Sequence, residues 1–322
     1  MRTSVERTAL VVVVVALAVA GCTTSSDAST APSSDSTAPS LPSASEDRLV
    51  YGRHTPPDDA FVLYTSRVDG GDERELLVDA ELPRWSPDGT RLSVAAEGPQ
   101  GPIFVGLINR DGTHYVRFDS PDPTLNLGCS AWSPDGERLA CEGWDDNDVS
   151  RNGIYTVRSS DGGDLRRITS APDGRHDIPG DYSPEGTQIT FVRSGLSDEQ
   201  HSTLMAVNID GSSERRLTDQ PVGLGCDWSP DGSSILAEAD GTLLVVPADG
   251  GESVPIELGR SDAYATGASW SPDGEHIVFS LRFQASSPDT SLDIFTAFVD
   301  GSKLIQVTDT PDLAEVGPSW SP

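Results

Sequence analysis

The residues with chemistry to offer in this chain are four cysteines, five histidines and one acidic, tryptophan-bearing segment. Cys129 and Cys141 flank a short turn and fall within about one residue of direct opposition across it, where Cα atoms approach to about 4.5 Å. That spacing admits a disulfide or a pair of buried thiols. Cys226 has no comparable partner and reads as a small buried hydrophobe. No cysteine pair has zinc-like spacing, so no cofactor is expected. Three of the histidines, His54, His176 and His201, are expected on loops at one end of the fold and are weak metal-ligand candidates. The richest stretch is Trp144-Asp145-Asp146-Asn147-Asp148. An aromatic ring among polar neighbours suits stacking on a ligand or sugar. Its carboxylates match part of a calcium loop but lack the alternating order and terminal glutamate. The segment His176-Asp177-Ile178-Pro179-Gly180-Asp181 enters the following unit at the same end. The ligand-binding candidates are therefore Trp144, Asp145, Asp146, Asp148, His176, Asp177 and Asp181, lining one pocket.

What must position these residues is a repeat. Trp85-Ser86-Pro87-Asp88-Gly89 recurs at Trp132, as Tyr182-Ser183-Pro184-Glu185-Gly186, at Trp228 and at Trp270, and a shortened copy begins at Trp320. The aromatic positions lie 47, 50, 46, 42 and 50 residues apart, the length of one four-stranded propeller blade. Proline presets the first central residue of a type I turn, aspartate suits the second, and glycine takes the left-handed position after it. Apolar runs such as Leu92-Ser93-Val94 and Ile277-Val278-Phe279 follow, as strands. Asp-Gly pairs at 69, 111, 161, 210, 249 and 300 mark a second hairpin between the first markers. Two interleaved markers give four strands per repeat. The expected fold is all-β, a six-bladed propeller over residues 47–322. Residues 314–322 are expected to pair with 47–52 and close the ring, removing exposed sheet edges.

On these motifs the chain resembles the TolB-type, WD-like propeller repeat family, over residues 47–322. The resemblance implies the fold and says little of activity. The TolB family carries a further α/β domain before its blades, so its role in an envelope complex does not transfer directly. Some TolB-like propellers are polysaccharide lyases that gather histidines around a metal. Others precede hydrolase domains, but no Gly-x-Ser-x-Gly elbow occurs here.

Residues 1–21 read as an export signal: Arg2 and Arg7, then an apolar run from Ala9 to Ala20 too short to span a bilayer. The run ends in Val19-Ala20-Gly21-Cys22, which resembles a bacterial lipobox and implies acylation of Cys22 and attachment to membrane lipid. Residues 23–46 are almost all Ser, Thr, Ala, Pro and Asp, the composition of a disordered tether. A formal charge of −29, with Lys303 the one lysine, excludes nucleic acid as a partner. The reading is a monomeric, lipid-anchored module of the cell envelope that binds an envelope protein or glycan. The alternative is a metal-dependent carbohydrate-active enzyme working at the propeller mouth.

Overall fold

The computed structural model describes residues 48–55, 60–97, 103–195, 198–283 and 291–322. The export signal, Cys22 and the tether lie outside the described residues. Within them, alternating apolar strands and tight turns build six separate four-stranded antiparallel sheets. The expected propeller is present.

Blade 1 joins Ala314–Trp320 to Arg48–Thr55, Ala60–Arg67 and Arg74–Val78. Blade 2 runs Ala80–Trp85, Arg91–Glu97, Ile103–Asn109 and Val116–Phe118. Blade 3 runs Asn126–Trp132, Arg138–Trp144, Gly153–Arg158 and Arg166–Arg167. Blade 4 follows with His176–Tyr182, Gln188–Gly195, Asp198–Asn208 and Arg215–Arg216. Blade 5 has Asp227–Trp228, Ser234–Ala239, Thr242–Pro247 and Val254–Pro255, and blade 6 has Ala263–Trp270, His276–Phe283, Asp293–Phe298 and Ile305–Gln306. The first strand of every blade touches the first strands of both neighbours, so these six strands surround the axis.

Each repeat aromatic fills the seam between its own blade and the preceding one. Trp85 packs with Val50 and Leu63 of blade 1 and Leu92 of blade 2, and Tyr182 with Ala140 and Ile154 of blade 3 and Phe191 of blade 4. Such an indole removes about 150–250 Å² from water, worth roughly 4–6 kcal/mol at about 25 cal/mol per Å². In blades 2 and 3 its N–H finds the preceding blade as well: Trp85 Nε1 donates to the Ser319 carbonyl at 3.3 Å and Trp132 Nε1 to the Arg84 carbonyl at 3.2 Å. The aromatic therefore serves as mortar between blades.

The hairpin turns behave as their residues dictate. Ser86 Oγ donates to Asp88 Oδ1 at 2.6 Å and accepts from the Arg91 amide at 2.9 Å. Gly89 turns the chain at φ +64°, a conformation that disfavours a side chain. A β-carbon at Gly89 would meet the Pro322 ring at 3.5 Å, and one at Gly186 the Pro134 ring at 3.4 Å. Proline of one turn thus abuts glycine of the next around the lower face, and Pro322 completes the contact at the junction.

Closure follows the expected route. Leu49 faces Trp320 and Val50 faces Ser319 in an antiparallel pairing that reaches His54 opposite Ala314. Trp320 is buried against Leu49, Tyr51, Val278 and Ile294, binding blade 6 to blade 1.

Candidate functional site

The upper face is the end of the blades away from the Trp-Ser-Pro-Asp-Gly turns. There the sequence-singled segment meets the seam of blades 3 and 4. Trp144 is the last residue of the second strand of blade 3, opposite Asn126. It belongs to the strand itself, and the segment after it joins strands two and three of one blade. The indole is partly exposed and lies over Gly128, where a β-carbon would sit 3.7 Å from the ring.

The loop beyond Trp144 is braced from within. Asp145, with its side chain 5% exposed, accepts from the Asn147 amide at 2.9 Å and from Arg151 Nη1 at 2.8 Å. Arg151 also reaches Thr124 Oγ1 and Asp122 Oδ2, each at 2.5 Å, tying the loop to the segment that enters blade 3. The Asn147 amide, helped by Arg151, holds the Asp145 carboxyl below the usual carboxylate range, and the bond to Asp122 raises the Arg151 guanidinium. Asp148 caps the single helical turn Val149–Arg151, accepting from the Ser150 amide at 3.1 Å and hydroxyl at 2.6 Å. Asp146 is exposed. Asp145 and Asp148 therefore shape the loop.

His176 opens the first strand of blade 4 and sets Nδ1 against the carboxylate of Glu142 on blade 3. That bond holds the imidazole above its ordinary pKa. Glu142 and Trp144 are two residues apart on one strand and so share a face. Gly128, opposite Glu142, leaves that face open. Nothing in the sequence pointed to Glu142, because its partner lies 34 residues away on another blade.

Asp177 does something else. Its carboxylate is fully buried and makes two bonds with Arg193, Nε to Oδ1 at 2.6 Å and Nη2 to Oδ2 at 2.8 Å. Thr169 Oγ1 donates a third at 2.6 Å, and Arg193 Nη1 reaches Glu214 at 2.6 Å. Blade 1 repeats the arrangement residue for residue. Glu315, buried, takes Arg53 Nε at 2.8 Å and the Thr308 hydroxyl, while Arg53 Nη2 reaches Glu73 at 2.6 Å. Arg53 faces Glu315 and Arg193 faces Asp177 in matching registers. Blades 1 and 4 stand opposite each other in the ring, and each carries one such quartet joining its first, second and fourth strands to the segment that enters it. A carboxylate held this way is a clamp on the blade and offers little to a ligand.

Asp181 sits five residues beyond His176 on the same strand, roughly 16 Å toward the lower face at about 3.3 Å per residue. It accepts from the amides of Tyr182 at 2.8 Å and Trp228 at 3.4 Å, bridging blades 4 and 5. Burial and the neighbouring Asp227 carboxylate push its pKa well above the usual range. It does not share a pocket with Trp144. Of the residues singled out, the structure brings together Trp144, Asp145, Asp146, Asp148 and His176, and separates Asp177 and Asp181 from them.

His54, His176 and His201 lie in strands, where the sequence reading expects loops. His54 is on the second strand of blade 1 with its ring 5.0 Å from that of Phe61; His176 and the backbone of His201 belong to blade 4, across the ring. Among the described residues no group of three or more His, Cys, Asp or Glu is arranged to hold a metal ion. Cys129 pairs directly with Cys141 across their hairpin, Cα atoms 3.8 Å apart, and the two sulfurs are joined. Cys226 is buried, and that burial pushes its thiol up to about 12.

A closed ring of six such blades defines the class: a six-bladed β-propeller with a braced, aromatic-bearing upper mouth. No family model matches the chain. Among solved structures it is similar to TolB from Acinetobacter baumannii, at 19% identity and a TM-score of 0.66, over 85% of this chain and 66% of that one. The chain thus spans about two thirds of that protein. A TolB-like protein from Agrobacterium tumefaciens is 20% identical with a TM-score of 0.61, over 86% of this chain and 100% of the other. Oligogalacturonate lyase from Vibrio parahaemolyticus gives 12% identity and a TM-score of 0.51, over 76% of this chain and 70% of that one. At these identities the likeness is one of fold.

Proposed function

We propose that this chain is a lipid-anchored, extracytoplasmic binding module that recruits an envelope protein or glycan through its upper face around Trp144. The observation that carries this reading is the indole itself. Trp144 is the one tryptophan outside the repeat register, it is partly exposed, and the loop after it is fixed by the Asp145–Arg151–Asp122 chain. A rigid aromatic at a propeller mouth offers contact area at little cost in conformational entropy. The Val19-Ala20-Gly21-Cys22 sequence supports anchoring by acyl chains on Cys22. The Cys129–Cys141 bridge supports an oxidising compartment outside the cytoplasm.

The test is capture from envelope extracts and on a glycan array, using the mature chain and its Trp144→Ala variant. Specific capture by the parent that the variant loses is the expected result. Capture that Trp144→Ala leaves intact would place recognition elsewhere. Bound metal together with glycan depolymerisation would replace binding with the enzymatic reading.

A further inference from the structure

We infer that Trp144, Glu142, His176 and Asn126 form a subsite for one pyranose ring of a neutral saccharide, at the seam of blades 3 and 4. The inference rests on the upper-face reading above and narrows its ligand to a chemical class.

Glu142 and His176 are 14% and 18% exposed, so each is mostly enclosed but open to the mouth. Their mutual bond uses one carboxylate oxygen and Nδ1. Among the described residues, the second Glu142 oxygen and His176 Nε2 make no other hydrogen bond, nor does the side-chain amide of Asn126. Enclosed polar groups with unfilled bonding capacity favour a ligand that fills it. These groups border a partly exposed indole, and Asn126 is paired with Trp144 across the strands. A flat apolar platform edged by a carboxylate acceptor and an amide fits the C–H face and equatorial hydroxyls of a sugar ring. The His176 bond fixes the Glu142 carboxylate in place across the seam.

Charge selects among sugars. Exposed Asp146 and Asp148 follow Trp144 in its loop, Arg151 is bound to Asp122 and Asp145, Arg167 is turned to the carbonyls of Ser150 and Asn152, Arg175 is half-buried beside His176, and the chain carries −29 overall. Uronic acids and sulfated sugars would meet like charge here. The fitting ligand is neutral.

The probe is an array of neutral and uronic-acid-bearing oligosaccharides, followed by calorimetric titration of the neutral one retained most strongly. Trp144→Ala should weaken that binding by roughly tenfold or more. Glu142→Gln, which keeps the shape and removes the charge-assisted bond, should weaken it by roughly tenfold. Val254→Ser, on the outer strand of blade 5, should leave it unchanged, and melting curves of all variants establish that they fold. Retention of no neutral glycan, preference for the uronic acids, or full affinity in Glu142→Gln would each overturn the inference. If an envelope protein were captured through Trp144 while every neutral glycan failed, the sugar subsite would fall and the upper-face reading would stand.

Discussion

Removing Arg53 tests whether the paired quartets hold the blades. Arg53 supplies Glu315 with bonds from Nε and Nη2, and Glu315 has a side chain with no exposure at all. In Arg53→Met the glutamate keeps only the Thr308 hydroxyl. Breaking a buried ion pair from one side costs about 3–5 kcal/mol, because the remaining charge is enclosed and uncompensated. For a domain of this size, at about 2.1 cal/mol/K of unfolding entropy per residue, that lowers Tm by about 5–9 °C. The sign with pH follows from the orphaned acid. Burial already raises the Glu315 pKa in the parent, and without Arg53 the rise is larger. A raised carboxyl costs stability as pH climbs through its folded pKa and costs nothing below its unfolded one, so the deficit is greatest at neutral pH and shrinks toward pH 5. Arg193→Met in blade 4 should cost a similar amount, since Asp177 is enclosed to the same degree. The two sites share no partner, so their losses should add to roughly 6–10 kcal/mol, comparable to the whole stability of a typical domain. Thermal and urea unfolding followed by circular dichroism measures all of this. Replacing both partners, as in Arg53→Met with Glu315→Leu, should restore most of the loss. A shift below about 2 °C in Arg53→Met, or no recovery in the paired replacement, would refute the clamp.

Three further expectations rest on other parts of the ring. Asp181→Asn should gain stability over the parent as pH rises from 5 to 8, because the parent carboxyl has a raised folded pKa beside Asp227 and loses stability on ionising; urea unfolding across that range reads it. His176→Gln should cost most below about pH 6.5, the unfolded imidazole value. Its deficit should vanish as pH climbs through the raised folded pKa, since the bond to Glu142 stabilises the protonated ring; the same titration checks it. Deleting residues 314–322 should abolish cooperative melting, as it removes Trp320, worth roughly 4–6 kcal/mol by burial alone, along with the pairing to Arg48–Thr55; a calorimetric scan with one sharp transition would contradict this.

Much of this protein was set by short stretches of its sequence. The Ser-Pro-Asp-Gly turns close through bonds spanning two to five residues, such as Ser86 to Asp88 and to Arg91, so turn chemistry alone announces them. Alternating strands of matched length flank those turns, and their recurrence dictates blade number. The unpaired aromatic strand at Trp320 and the partnerless strand at Arg48 likewise point to each other. Cys129 and Cys141 are 12 residues apart in one hairpin, and simple counting places them within about one residue of facing each other. Tertiary structure decided what the polar residues do. Arg53 and Glu315 are 262 residues apart, and Glu142 meets His176 only because two blades share a seam. No local pattern distinguishes the clamped Asp177 from the exposed Asp146, since a carboxylate's role depends on which charge, amide or solvent lies across the seam from it. Hydrogen-bonded turns are short-range events written in adjacent residues, whereas burial and ion pairing belong to surfaces that exist only once the ring has closed.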